Sequence, residues 1–133
     1  MDTDKRSVAK ACLDAAAADS MSFPEIVGML MREGFESYAI DFRRSRAIYY
    51  LPDGDSVELT THAVQTPIAA VFDQPAIQAA IREAQQQVPD YTYRGFCEKV
   101  AAAGCAGYLV SFLGRRAVYV GRTGETHVEA FPD

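Results

Sequence analysis

Tryptophan is absent, cysteine and histidine are scarce, and no long apolar run interrupts the 133 residues. Each shortage removes a class of protein. No segment approaches the roughly eighteen apolar residues that a membrane span needs, so no membrane association is expected. The start, Met1-Asp2-Thr3-Asp4, is acidic and lacks an apolar signal core, which implies no export and a cytoplasmic setting. Cys12, Cys97 and Cys105 are odd in number and lack Cys-x-x-Cys spacing. Each falls on or beside an apolar helical face, so they read as buried free thiols, not disulfides or metal ligands. A net charge of −5 argues against a binder of duplex nucleic acid. A glycine-rich phosphate loop, a nucleophile elbow and a zinc-protease helix motif are also missing, so no cofactor is implied.

What is present is a repeat. Gly34, Tyr38, Phe42, Arg46, Ala47, Tyr49 and Gly54 recur seventy residues later as Gly104, Tyr108, Phe112, Arg116, Ala117, Tyr119 and Gly124. Ile40 with Val110, and Ile48 with Val118, are conservative matches between them, and no gap is needed from Ser22 to Ser56. The chain reads as an internal duplication. Repeat one covers about 5–60, a connector about 61–73 and repeat two about 74–131, all within one domain spanning 1–133. One inserted residue is expected near His127, so that Val57-Glu58 aligns with Val128-Glu129.

Residues 5–18 carry a small-residue stripe at helical spacing. Ser22-Phe23-Pro24-Glu25 is a capping box that starts a second helix, and Gly34 ends it. Alternation over Tyr38, Ile40 and Phe42, then Ala47 to Leu51, then Ser56 to Thr60 after the Asp53-Gly54 turn, predicts three antiparallel strands. The second half repeats the plan, with caps at Asp73 and Thr92 and a helix stop at Gly104. The predicted fold is α+β: duplicated helix-helix-meander units, with four helices packed on one face of a mostly antiparallel sheet. Its open edges make a homodimer an expectation.

From about residue 20 onward the chain resembles a family of uncharacterised bacterial proteins of this length, some of them prophage-encoded. That family includes Escherichia coli YbcV, and some of its members are labelled phage envelope proteins. The resemblance rests on Ser22-Phe23-Pro24-Glu25, Gly34, Tyr38, Asp41-Phe42, Tyr49-Tyr50, Asp53-Gly54 and the run from Gly124 to Glu129. These are cap, core and turn positions, and the resemblance implies no catalytic residues.

Three groups are candidate sites. Arg43, Arg44 and Arg46 cluster at one hairpin, Arg115, Arg116 and Arg122 fall in the corresponding region of the other, and Arg46 and Arg116 match by register. Planar, permanently charged guanidinium groups suit carboxylate or phosphate, while charge at edges and turns also blocks aggregation. Convergence of Arg46 and Arg116 on one surface would favour a small anion or an acidic protein partner. Tyr38, Tyr49, Tyr108 and Tyr119 recur in register, as core packing or as a ligand-stacking surface. Glu125, His127 and Glu129 alternate along one strand, which reads as a solvated face or a weak metal site that Glu58 or His62 would complete. The leading expectation is a non-enzymatic binding protein whose ligand site includes Arg43, Arg46, Arg116, Arg122, Tyr49 and Tyr119. The alternative is a hydrolase-like enzyme using His127 with Glu125 or Glu129.

Overall fold

The computed structural model describes residues 3–132. In chain order the elements are α1 (Thr3–Ala18), α2 (Phe23–Arg32), β1 (Ser37–Asp41), β2 (Arg46–Tyr50) and β3 (Ser56–Thr60). The second half follows with α3 (Gln74–Gln86), α4 (Tyr93–Ala102), β4 (Cys105–Ser111), β5 (Arg116–Gly121) and β6 (Thr126–Ala130). Helix, helix and three strands thus occur twice in the same order, as an α+β fold. None of these helices is long and apolar enough to cross a membrane.

Local chemistry sets the helix ends. Ser22 Oγ accepts from the Glu25 amide at 3.3 Å, and Glu25 returns the bond by accepting from the Ser22 amide at 2.8 Å. Two of the orphan donors at the start of α2 are met in this way. Thr92 caps α4 through the Gly95 amide at 3.0 Å, and Asp19 accepts from the Tyr93 amide at 2.8 Å, tying the end of α1 to α4. Gly34 and Gly104 leave their helices at φ 101° and 94°, turning the chain directly into β1 and β4. The connector has no regular element, yet it is held. Glu98 on α4 accepts from the Thr66 hydroxyl and from the amides of Gln65 and Thr66, and these bonds, the hydroxyl's first, hold its carboxyl below the usual range.

All neighbouring strands pair antiparallel in one sheet of order β3-β2-β1-β4-β5-β6. The halves meet at β1 and β4, where Ser37 faces Ser111, Ala39 faces Leu109 and Asp41 faces Gly107. The Ala39–Leu109 pair is therefore the centre about which the two triplets of strands are related. Strand alternation sends Tyr38, Ile40, Ala47, Tyr49, Val57 and Leu59, with Tyr108, Val110, Ala117 and Tyr119, to the buried side. The four helices cover that side, α1 packing on α2 and α4, and α3 on α4. The other side carries a cross-strand row of Ile48, Ala39, Leu109, Val118 and Val128.

The sheet corrects the expected insertion near His127. Tyr119 pairs with His127 as Tyr49 pairs with Val57. His127 and Glu129 consequently stand where Val57 and Leu59 stand in the first half, and Val128 faces outward, 49% exposed. A strand's side chains alternate with period two, so a one-residue slip would have turned the whole of β6 over. The resemblance of the dipeptides Val57-Glu58 and Val128-Glu129 is a coincidence of composition, and pairing with β5 overrides it.

Candidate functional site

Four tyrosines form a ladder across the middle of the sheet. Tyr49 on β2 lies against Tyr38 on β1, with ring centroids 5.5 Å apart; Tyr38 meets Tyr108 on β4 at 6.5 Å, and Tyr108 meets Tyr119 on β5 at 5.1 Å. The strand registers set the two outer contacts, since Tyr38 pairs with Tyr49 and Tyr108 with Tyr119. Helix α4 adds Phe96 edge-on to Tyr119, and the Tyr93 hydroxyl lies 2.6 Å from that of Tyr108.

The ladder is the floor of a cleft of about 680 Å³ between the sheet and the helix layer. Cys12 and Ala16 of α1 form one wall, and Ile81, Ala84 and Gln85 of α3 another. The mouth is edged by Phe23 and Pro24 at the start of α2 and by Phe131 and Pro132 after β6, with Phe23 and Phe131 packed edge to face.

Polar groups in the cleft are few and specifically placed. Tyr38, Tyr49 and Tyr119 are 7%, 3% and 7% exposed, and their hydroxyls have no hydrogen-bond partner among the described residues. Burial pushes all three above the ordinary phenol range, so they stay neutral and can donate or accept. Tyr93 and Tyr108 are pushed up for the same chief reason. Burial also raises the Cys12 thiol, which leaves it unreactive at neutral pH.

Glu129 supplies the wall at β6. Its Oε1 accepts from Gln78 Nε2 at 3.0 Å and lies 3.2 Å from His127 Nε2, and its Oε2 accepts from Gln85 Nε2 at 3.5 Å. Gln74 Nε2 lies 2.9 Å from His127 Nδ1. The imidazole is thus held at both ring nitrogens, between Gln74 and Glu129.

Of the predicted site residues, Tyr49 and Tyr119 share this floor, and His127 and Glu129 are brought together. Glu125 is exposed in the β5–β6 turn and is not part of the pair. The expectation of a solvated face is corrected for His127, which is buried against α3 because it occupies a core position of the strand. Among the described residues no group of three or more His, Cys, Asp or Glu is placed to hold a metal. His62 lies instead against the Tyr93 ring.

The arginines stay outside the cleft. Arg46 donates to the carbonyls of Arg44 and Ser45 and lies 3.7 Å from Glu58; Arg116 donates to the Gly114 carbonyl. Arg43 is exposed, and Arg122 donates to the Ile68 carbonyl of the connector. The convergence of Arg46 and Arg116 that a shared anion site would need is not found. They lie on β2 and β5, with β1 and β4 between them, beside hairpins at opposite ends of the sheet. At about 4.8 Å per strand spacing, that is about 14 Å across the sheet before any offset along it. Antiparallel pairing of β1 with β4 points the two hairpins in opposite directions, and the repeat pattern by itself could not show this.

A family profile described as Protein of unknown function (DUF1398) matches residues 13–128. The chain belongs to that family. No curated protein matches it. The matched span includes the tyrosine ladder and helices α2 to α4, and it stops one residue short of Glu129. The family description assigns no activity, so the cleft itself is the ground for a functional reading.

Three contributors were not singled out from the sequence: Gln74, Gln78 and Gln85. Their spacing along α3 was the available signal, since residues four and eleven apart share a helix face. An amide stripe signifies little until a charged partner is known to face it.

Proposed function

We propose that this DUF1398 protein binds a small, largely apolar molecule in the tyrosine-lined cleft, without covalent chemistry. The observation that carries this reading is a set of three hydroxyls, those of Tyr38, Tyr49 and Tyr119, which belong to buried rings, bond no described residue and line the cleft. Hydroxyls that face a cleft without a protein partner are free to bond a ligand that enters it. The cleft's volume of about 680 Å³ and its apolar lining with a few placed polar groups match small-molecule sites.

Binding is favoured over catalysis because both ring nitrogens of His127 are engaged, and His127 does not line the cleft. The arginine hairpins support an anion or an acidic partner less well, since each of Arg46 and Arg116 is hydrogen-bonded within its own hairpin. Three free, buried thiols fit a reducing compartment. We also propose that the halves descend from one duplicated unit. Its second copy has exchanged the apolar pair seen at Val57 and Leu59 for His127 and Glu129.

The uncharged dye N-phenyl-1-naphthylamine tests the cleft. A saturable emission rise at one dye per chain is expected, and Ala84→Phe, on the half-exposed wall, is expected to weaken it at least tenfold with the melting temperature little changed. No saturable signal, or equal affinity in the variant, would remove the cleft as a binding site.

A further inference from the structure

We infer that the ligand is an organic cation, a protonated amine carried on an apolar or aromatic body, with Glu129 as its counter-charge. The inference rests on the cleft being a binding site and adds the sign of the charge it accepts. The residues lining the cleft include Asp19, Glu25 and Glu129, and no lysine, arginine or histidine. Asp19 and Glu25 serve helix starts, accepting from the amides of Tyr93 and Ser22. Glu129 serves no helix. It faces inward from a strand position whose counterpart is the apolar, buried Leu59, and its side chain keeps 24% of its surface exposed.

The partners of Glu129 are two amides and one imidazole. Gln78 and Gln85 donate uncharged amide hydrogens. His127 Nε2 lies 3.2 Å from the carboxylate, and Gln74 lies 2.9 Å from the other ring nitrogen. No lysine or arginine among the described residues bonds this carboxylate, and it lines the cleft. A second anion there would meet a like charge in a poorly screened space, whereas a cation would gain the full attraction. The tyrosine floor acts in the same direction. Aromatic faces attract cations through their quadrupole, and the free hydroxyls of Tyr38 and Tyr119 can accept from an ammonium group.

The experiment compares three probes of one shape on the full chain at neutral pH: 2-phenylethylamine, 2-phenylethanol and 3-phenylpropionate. Each competes with N-phenyl-1-naphthylamine. The amine is expected to bind at least tenfold more tightly than the alcohol, and the carboxylate most weakly. Glu129→Gln should bring the amine down to the level of the alcohol. An alcohol that binds as well as the amine, a carboxylate that binds best, or a preference that survives Glu129→Gln would overturn the cation assignment. In those cases the displaced dye would still support the cleft; a dye that never binds would overturn both readings. Should Glu129→Gln fail to fold, the order of the three probes on the unaltered protein decides the matter alone.

Discussion

Gly104→Ala is expected to lower the unfolding free energy by about 3 kcal/mol or more, while Gly34→Ala costs about 1 kcal/mol. The two glycines end equivalent helices with nearly the same backbone, at φ 94° and 101°. The left-handed conformation alone penalises any side chain by about 1–2 kcal/mol, which is common to both. Their surroundings differ. A methyl at Gly104 would sit 2.1 Å from the Val71 carbonyl oxygen and 2.9 Å from its carbon, both backbone atoms. The connector carrying Val71 cannot move aside freely. The Ala69 amide is bonded to the Ala101 carbonyl at 3.1 Å, and the Asp73 amide to that of Ala103 at 2.8 Å. At Gly34 the nearest group is the Lys5 ammonium at 3.4 Å, the tip of a flexible chain. Urea denaturation of the two variants checks this, with Gly124→Ala as the control, since its φ is 83° and nothing lies within 4 Å. Equal losses at Gly104 and Gly34 would show that the connector yields, and that only the backbone angle matters.

Above about pH 10 the protein should lose stability steeply and unfold cooperatively. Tyr38, Tyr93 and Tyr108 are pushed well above the ordinary phenol range, and Tyr49 and Tyr119 are raised too, in each case chiefly by burial. For an acid raised in the folded state, the unfolded chain releases its proton first. Between the unfolded and folded values the native state binds more protons, so stability falls as pH rises. Each such tyrosine removes about 1.4 kcal/mol per pH unit, and five together about 7 kcal/mol per unit at the limit. Set against a typical domain stability of about 5–15 kcal/mol, this places unfolding within about two units above pH 10. Cys97, pushed up to about 12, and Cys105, to about 11, act in the same direction from a lower starting pH. Tyrosinate absorbance and far-ultraviolet circular dichroism should therefore change together. A gradual rise in tyrosinate absorbance with the dichroism unchanged would mean that the ladder ionises while folded, and that its hydroxyls are well hydrated.

The same tyrosines show how far the sequence reached. Their recurrence and the strand alternation put each on the same strand face as its apolar neighbours, because the period of two in a strand is a local property. The capping box at Ser22 and Glu25 and the helix stops at Gly34 and Gly104 were legible for the same reason: each depends on neighbouring residues alone. The arginine hairpins were legible as a pair of equivalent features. Their separation was not, because it depends on which strands join the halves and in what direction.

Glu129 marks the boundary most sharply. The alternation of Glu125, His127 and Glu129 was visible in the chain, but the solvent-facing orientation that reads most naturally from three polar side chains was wrong for His127. Only the pairing of Tyr119 with His127 turns it and Glu129 inward, and only α3, brought across the sheet, supplies the amides of Gln74, Gln78 and Gln85. By itself the sequence determined the helices, the strands, their caps and turns, and the apolar face of each element. The tertiary structure decided the register of β6, the direction of the central strand pair and the convergence of four helices on one aromatic floor. The physical reason is range. Caps, turns and alternation are set by residues a few positions apart, whereas the cleft is assembled from side chains as far apart in the chain as Cys12 and Glu129.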